Sequence, residues 1–207
     1  RGCIPKKLLF YSAKYKDLFI NAESYGWKLN KYSYDLMKMI KNKDKELLRL
    51  EKTYEKNAIN AGVNIFKGEA QFIDKNTISI NDLILKGDKI IIAVGGIPLK
   101  LNIPGMKYTM DSDEIMKLKK LPKSLVIIGG GYIAIEFAFI FANLGTKVSL
   151  IIRKKILRGF DKDLVSNLEK NLKDNKIKVY FNEEVESIYK KNKKYNVFLK
   201  QRKININ

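Results

Sequence analysis

The chain has 207 residues, 45% of them hydrophobic, which is material for one large domain or two smaller ones. Its formal net charge of +19 rests almost wholly on lysine, since only five of 41 basic residues are arginine and the lysines are spread through every segment. A surface that tracks nucleic acid clusters its charge and favours arginine's planar fork, so no nucleic-acid partner is expected; zero histidines and one cysteine exclude a histidine-based triad, a histidine zinc site and an internal disulfide framework, and suit a reducing, cytoplasmic compartment.

The sequence opens RGCIPKK, on Arg1 rather than Met, which reads as an internal piece of a longer protein. Neither a basic region leading into an apolar stretch nor a cleavage site marks the start. No charge-free apolar run is long enough to span a bilayer, so no membrane is expected as a partner. Pro5 fits the first turn of a helix, where its missing N–H would have no intrahelical acceptor. Beyond it, Leu8, Tyr11, Tyr15 and Leu18 stand at helical spacing. Cys3 then sits at a helix N-terminus beside Lys6 and Lys7, where the dipole and the ammonium charges favour an anionic, reactive sulfur. The plainer alternative is a small buried hydrophobe.

A turn at Tyr25-Gly26-Trp27 leads into a charged helix over about 33–60, with Leu36, Ile40, Leu47, Leu48 and Leu50 as its apolar stripe and Gly62 ending it. Short strands are predicted at 63–66, 70–73, 77–80 and 83–85, split by turn residues. KIIIAVGG, residues 89–96, reads as a continuous apolar strand that stops on a glycine pair. Pro98 and the Asn102-Ile103-Pro104-Gly105 turn mark a boundary. Near the other end, the Lys/Asn-rich stretch 189–195 reads as a hairpin loop.

The segment LVIIGGGYIAIEFAFIFANLGTKVSLIIR is the most legible. It predicts a buried strand at 125–128, a glycine turn, an apolar helix and a second strand at 148–152. Gly129-x-Gly131-x-x-Ala134 fits the dinucleotide fingerprint, with alanine in the permitted third place. Gly129 makes the tight turn, Gly131 lets the backbone approach a pyrophosphate, and Ala134 lets the helix pack on the strand. The helix N-terminus then offers N–H groups and positive dipole to the phosphates. About twenty residues past the glycines, an acidic side chain would hold the ribose diol of NAD. Arg153 stands there instead, with Arg158 after it, and a bidentate guanidinium suits the 2′-phosphate of NADP. A solvated basic loop, RKKILR, is the alternative.

GCIPKK, IIGGGYIAIE and RKKILRGFD together resemble the class I pyridine nucleotide-disulfide oxidoreductases, and within them the glutathione reductase branch, over essentially the whole chain. The resemblance implies an α/β fold: the C-terminal part of an FAD-binding domain with its redox-active helix over 1–98, then an incomplete Rossmann-type NADPH-binding domain over 99–207. It also implies that Cys3 is the flavin-facing member of a C-x-x-x-x-C redox disulfide whose partner precedes Arg1. Lys6 and Glu136 are implied to pair beside the flavin, and Tyr132 to cover it until nicotinamide displaces it. Gly129, Gly130, Gly131, Ile133, Ala134, Arg153 and Arg158 fall on the NADPH site. Ala70, in KGEAQF, and Gly95, in the strand-end motif Ala93-Val94-Gly95, fall on the FAD site, and Tyr54 lies where bound glutathione would be.

The activity implied by this likeness is that of an NADPH-dependent flavoprotein that reduces glutathione disulfide, homodimeric at full length, with the present piece inactive alone. A large thioredoxin reductase, or another disulfide reductase of the class, is the near alternative. A basic nucleotide- or nucleic-acid-binding module on a Rossmann scaffold is the distant one.

Overall fold

A computed structural model describes residues 2–29, 31–192, 194–200 and 203–206. The chain divides into two compact units, Glu46–Pro98 in one and Arg1–Lys45 with Leu99–Asn207 in the other. The division falls inside the second of two long helices, α1 (Cys3–Ala22) and α2 (Leu36–Asn60).

The smaller unit holds an antiparallel meander of β1 (Ala70–Asp74), β2 (Thr77–Ile80) and β3 (Leu83–Lys86), ordered β1-β2-β3. Its turns are set by short polar side chains. The Asp74 carboxylate accepts the Asn76 N–H at 2.8 Å, and Asn81 takes the left-handed backbone (φ 51°) that a two-residue turn requires. Two expected strands do not form. Residues 63–66 carry no ladder, and neither does 89–96, where Ile91 is 89% exposed and Ile97, just beyond, 94% exposed. An apolar run becomes a strand only when another strand takes its N–H and C=O groups, and none of the described strands pairs with these.

The larger unit is built on a parallel sheet. A short helix α3 (Ser112–Ile115) precedes β4 (Ser124–Ile128), α4 (Tyr132–Asn143), β5 (Lys147–Ile152), α5 (Lys162–Asp174) and β6 (Lys178–Phe181). The strands run β4-β5-β6, with Val126 beside Ser149 and Ile151 beside Tyr180. These are two successive βαβ crossovers. Alternation along β5 separates the two faces: Val148, Leu150 and Ile152 join Ile135, Ala138 and Phe141 of α4 in the main core, while Ile151 faces the other way.

On that second face lies an antiparallel sheet of β7 (Val185–Lys191), β8 (Lys194–Leu199) and β9 (Lys203–Ile206), whose Val185, Ile188, Val197 and Leu199 cluster with Ile151. Of the stretch expected as a hairpin loop, 189–191 belong to β7 and 194–195 to β8, with Tyr189 opposite Asn196 and Lys191 opposite Lys194, so the paired strands run further than the Lys/Asn-rich composition suggested.

Helix α1 packs on α4, but not through the stripe its spacing suggested. Pro5, Lys6, Leu9 and Ala13 are buried, whereas Tyr11, Tyr15 and Leu18 are exposed and Leu8 is half-buried. Small Ala13 lets the helices approach, and the Asn143 side-chain amide, in the last residue of α4, donates to the Ala13 carbonyl at 3.2 Å and to Asp17 at 2.9 Å. The aromatic stripe finds no such partner among the described residues. In α2, Leu36 is buried and Leu48 exposed, so only the first part of its expected stripe reaches the core. Among the described residues no helix is long and apolar enough to cross a membrane.

Candidate functional site

The site grows from two helix beginnings. Cys3 is the first residue of α1, exposed and with a free thiol. One turn on, Lys6 turns inward on the buried face, its side chain only 10% exposed. A lysine is buried this far only where its charge is answered. The answer comes from α4: the Lys6 ammonium forms an ion pair with Glu136, whose side chain is 45% exposed. Tyr132 lies one turn earlier on α4, and its ring centroid is 4.9 Å from Lys6 Nζ, a cation–π distance. Cys3, Lys6, Tyr132 and Glu136 thus occupy one corner of the larger unit, although positions 6 and 136 are remote in sequence.

The glycine turn joins this corner to the sheet. Gly129 leaves β4 at φ 126°, a conformation open to glycine, and donates its N–H to the Ile151 carbonyl at 2.9 Å. Gly130 is tightly enclosed, because a Cβ there would lie 3.0 Å from the Lys155 carbonyl oxygen and 3.1 Å from Ile152, so a side chain would require these neighbours to shift. Gly131 is the opposite case. It caps α4 with extended backbone, and a Cβ there would meet nothing within 4 Å. Gly131 immediately precedes the first turn of α4, whose leading N–H groups have no intrahelical acceptors, which is the cradle a pyrophosphate needs. Ile133 is exposed on the same turn, and Ala134 packs toward the core. The residues present therefore fit a dinucleotide phosphate.

Beyond β5 the chain turns back onto the glycines. Ile156 and Leu157 are buried, and the Leu157 N–H donates to the Gly130 carbonyl at 2.8 Å. This fold-back starts at Arg153 and carries Arg158, both exposed. Arg153 lines an open cleft of about 550 Å³ with Lys154, Asn182, Glu184 and Lys200; Arg158 is not among those residues. Glu184 accepts a hydrogen bond from Lys200 and lies 3.8 Å from Arg153 Nε. The Lys200 hydrogen bond first, then the charges of Lys200, Arg153 and Lys154, hold the Glu184 carboxyl below its usual range. Sequence reasoning does not find Glu184 or Lys200. Nothing in their spacing marks them, because they meet only when β7 and β8 pair, which sets the residue just before β7 against the residue just after β8.

The remaining expected residues lie in the smaller unit: Tyr54 is exposed on α2, Ala70 opens β1, whose residues are all exposed, and Gly95 takes a left-handed backbone (φ 76°) in the unpaired 89–96 stretch.

Comparison with known proteins agrees with this architecture. The chain is 40% identical over 180 residues to a glutathione reductase of Nostoc sp., covering 86% of this chain and 39% of that protein. It is 33% identical over 192 residues to a dihydrolipoyl dehydrogenase of Mycoplasma genitalium, covering 89% of this chain and 42% of the relative. Among solved structures, the HOCl-induced flavoprotein disulfide reductase RclA from Escherichia coli superposes with a TM-score of 0.80 at 28% identity, over 99% of this chain and 44% of that one. The chain thus spans about two fifths of the length of each of these proteins. The pyridine nucleotide-disulphide oxidoreductase family model matches residues 1–206, and this chain, with its glycine turn and its helix-borne cysteine, belongs to that family.

Proposed function

We propose that the chain is part of an NADPH-dependent, FAD-containing disulfide reductase whose substrate is glutathione disulfide. The observation that carries the proposal is Lys6, a buried ammonium answered by Glu136 and lying over Tyr132, one helical turn from the only cysteine. Packing alone gives no reason to bury a charge there. Glutathione reductase relatives support the glutathione substrate, and Arg153 in its cleft supports the phosphorylated nicotinamide nucleotide.

Bound flavin and reduced nicotinamide supply the two-electron chemistry. The chain's own residues position and charge the site. The open side of Gly131 and the N-terminus of α4 receive pyrophosphate. Arg153 and Arg158 receive the 2′-phosphate. Half-exposed Tyr132 screens the Lys6–Glu136 corner from water until a ring displaces it. Glu136 fixes the Lys6 ammonium, which offers preorganised positive charge where negative charge develops. Cys3 is one sulfur of a disulfide that takes up two electrons and opens, leaving its thiolate in the field of α1 and Lys6 while the partner sulfur attacks substrate. Each cycle converts glutathione disulfide, two electrons and two protons into two thiols. Ala70 and Gly95 belong to this reading as backbone contacts to FAD, and Tyr54 as a contact to glutathione. The full-length enzyme works as a homodimer in the cytoplasm.

The test is Cys3→Ser in the full-length, flavin-loaded protein. NADPH should still bleach the flavin absorbance, while glutathione disulfide turnover falls to background. A variant that keeps turning over glutathione disulfide makes Cys3 a packing residue. A wild-type protein that uses NAD and dihydrolipoamide in preference moves the substrate to the other relative's chemistry.

A further inference from the structure

The cleft at the ends of β5 and β6 holds a carboxylate for which the proposed reaction has no use. Glu184 has two cationic neighbours, and they are not equivalent. Lys200 Nζ donates a close hydrogen bond to Glu184 Oε2, whereas Arg153 Nε stands 3.8 Å from Glu184 Oε1, beyond hydrogen-bond reach. Backbone fixes the arrangement: Lys200 N–H donates to the Glu184 carbonyl at 3.0 Å, and Glu183 N–H to the Ile152 carbonyl at 3.3 Å, next to Arg153. The carboxylate is thus committed to the lysine, and the guanidinium is left loosely held and 73% exposed. An anion entering this cleft meets three cations and one negative charge. That negative charge opposes a phosphate far more than it opposes a neutral hydroxyl.

Resting on the reading that Arg153 receives a 2′-phosphate, we propose that Glu184 moderates the nucleotide preference that Arg153 gives this cleft, and that Lys200 clamps Glu184 so that phosphate, not carboxylate, takes Arg153. Glu184 is a counter-charge that lowers affinity for the phosphorylated nucleotide and so keeps the ligand exchangeable. Lys200 limits that penalty by holding the carboxylate with its stronger contact. Lys154 lines the same cleft but has no contact with Glu184 shorter than 4 Å, so it is the comparison residue.

The experiment is calorimetric titration of the full-length, flavin-loaded protein with adenosine 2′,5′-bisphosphate and with 5′-AMP. Wild type should bind the bisphosphate more tightly. Glu184→Gln should tighten the bisphosphate about two- to fivefold, the size of an exposed charge interaction, and leave 5′-AMP nearly unchanged. Glu184→Asp, which keeps the charge, should stay near wild type. Lys200→Met should weaken the bisphosphate about two- to fivefold, and Lys200→Arg should not. A gain of affinity confined to the 2′-phosphorylated probe is something a merely structural residue does not give on removal. If wild type discriminates but Glu184→Gln leaves the bisphosphate unchanged or weaker, the inference is overturned and the Arg153 reading stands. If Lys200→Met fails to weaken the bisphosphate, the clamp is overturned. If wild type binds both probes alike, the Arg153 reading itself falls.

Discussion

Two glutamates of the larger unit meet lysines, one across 130 positions and the other across the 16 of a single hairpin, and their surroundings make the two contacts different in kind. Glu136 reaches Lys6 across a helix–helix contact, and that lysine is 10% exposed. Glu184 reaches Lys200 at the rim of a cleft, where the side chains are 36% and 64% exposed. In water an ammonium is well solvated with or without a carboxylate, so the rim contact is worth little to folding and is screened by salt. At the inner contact the lysine has given up its water, and losing the glutamate leaves a charge with no solvent to replace it. Similar residue types therefore serve different ends. On the proposed reading, the inner pair would position a fixed charge and the outer one would tune the affinity of a ligand that must come and go.

The largest effect separating the two regions is expected at Lys6. Lys6→Met in the full-length enzyme should lower disulfide-reductase kcat by roughly a hundredfold, the size of losing one preorganised charged donor, with little change in KM for NADPH. Glu136→Gln should destabilise the fold by about 1–3 kcal/mol in urea melts, since it strands the Lys6 ammonium; half-exposure of Glu136 keeps the loss below that of a fully buried pair. An unchanged melt would place Lys6 in solvent and erase the contrast.

Next in size comes Arg153→Ala. Removing a hydrogen bond to a charged group costs about 1.5–3 kcal/mol, so NADPH affinity should fall about ten- to a hundredfold in direct titration while NADH hardly moves. Lys154→Ala and Lys155→Ala should matter less. Equal weakening of both nucleotides would assign Arg153 to the fold or the pyrophosphate.

The smallest effect belongs to Glu184. Its carboxyl is held below the usual range by Lys200, so its contribution to stability is complete above the unfolded-state pKa and is lost as pH falls through the lower, folded-state pKa. Melts compared between wild type and Glu184→Gln should differ slightly at neutral pH and converge in acid. The small difference at neutral pH should shrink further at about 0.5 M salt, where the Debye length is only a few ångströms. Persistence in salt would make the rim contact resemble the inner one.

How far the sequence can be read depends on whether a feature is local. LVIIGGG and KIIIAVGG are the same kind of text, an apolar run ending on glycines. The first became β4 because β5, a helix-length away, supplies its ladder and two apolar layers cover its faces. The second pairs with no described strand, and Ile91 and Ile92 stay exposed. A strand is a relation between segments, and only one partner is written into that stretch of chain. Helix α1 shows the same limit in another form. Its spacing foretold a helix, yet the face that packs is the one bearing Lys6 and small Ala13, not the aromatic stripe. The pairing of Lys6 with Glu136 was implied by family likeness and could not be read from periodicity. Glu184 and Lys200 had no local signal at all.

The hydrogen bond from Leu157 N–H to the Gly130 carbonyl fastens the arginine-bearing turn to the glycine turn through main chain alone. Because no side chain takes part, the side chains at 153, 154, 155 and 158 could vary while this bond keeps the spacing between the two proposed anion sites constant. On the proposed reading, exchanging one dinucleotide for another would then require altering a few exposed side chains, with the main-chain turn left in place. Preference here is a removable fitting on a fixed frame.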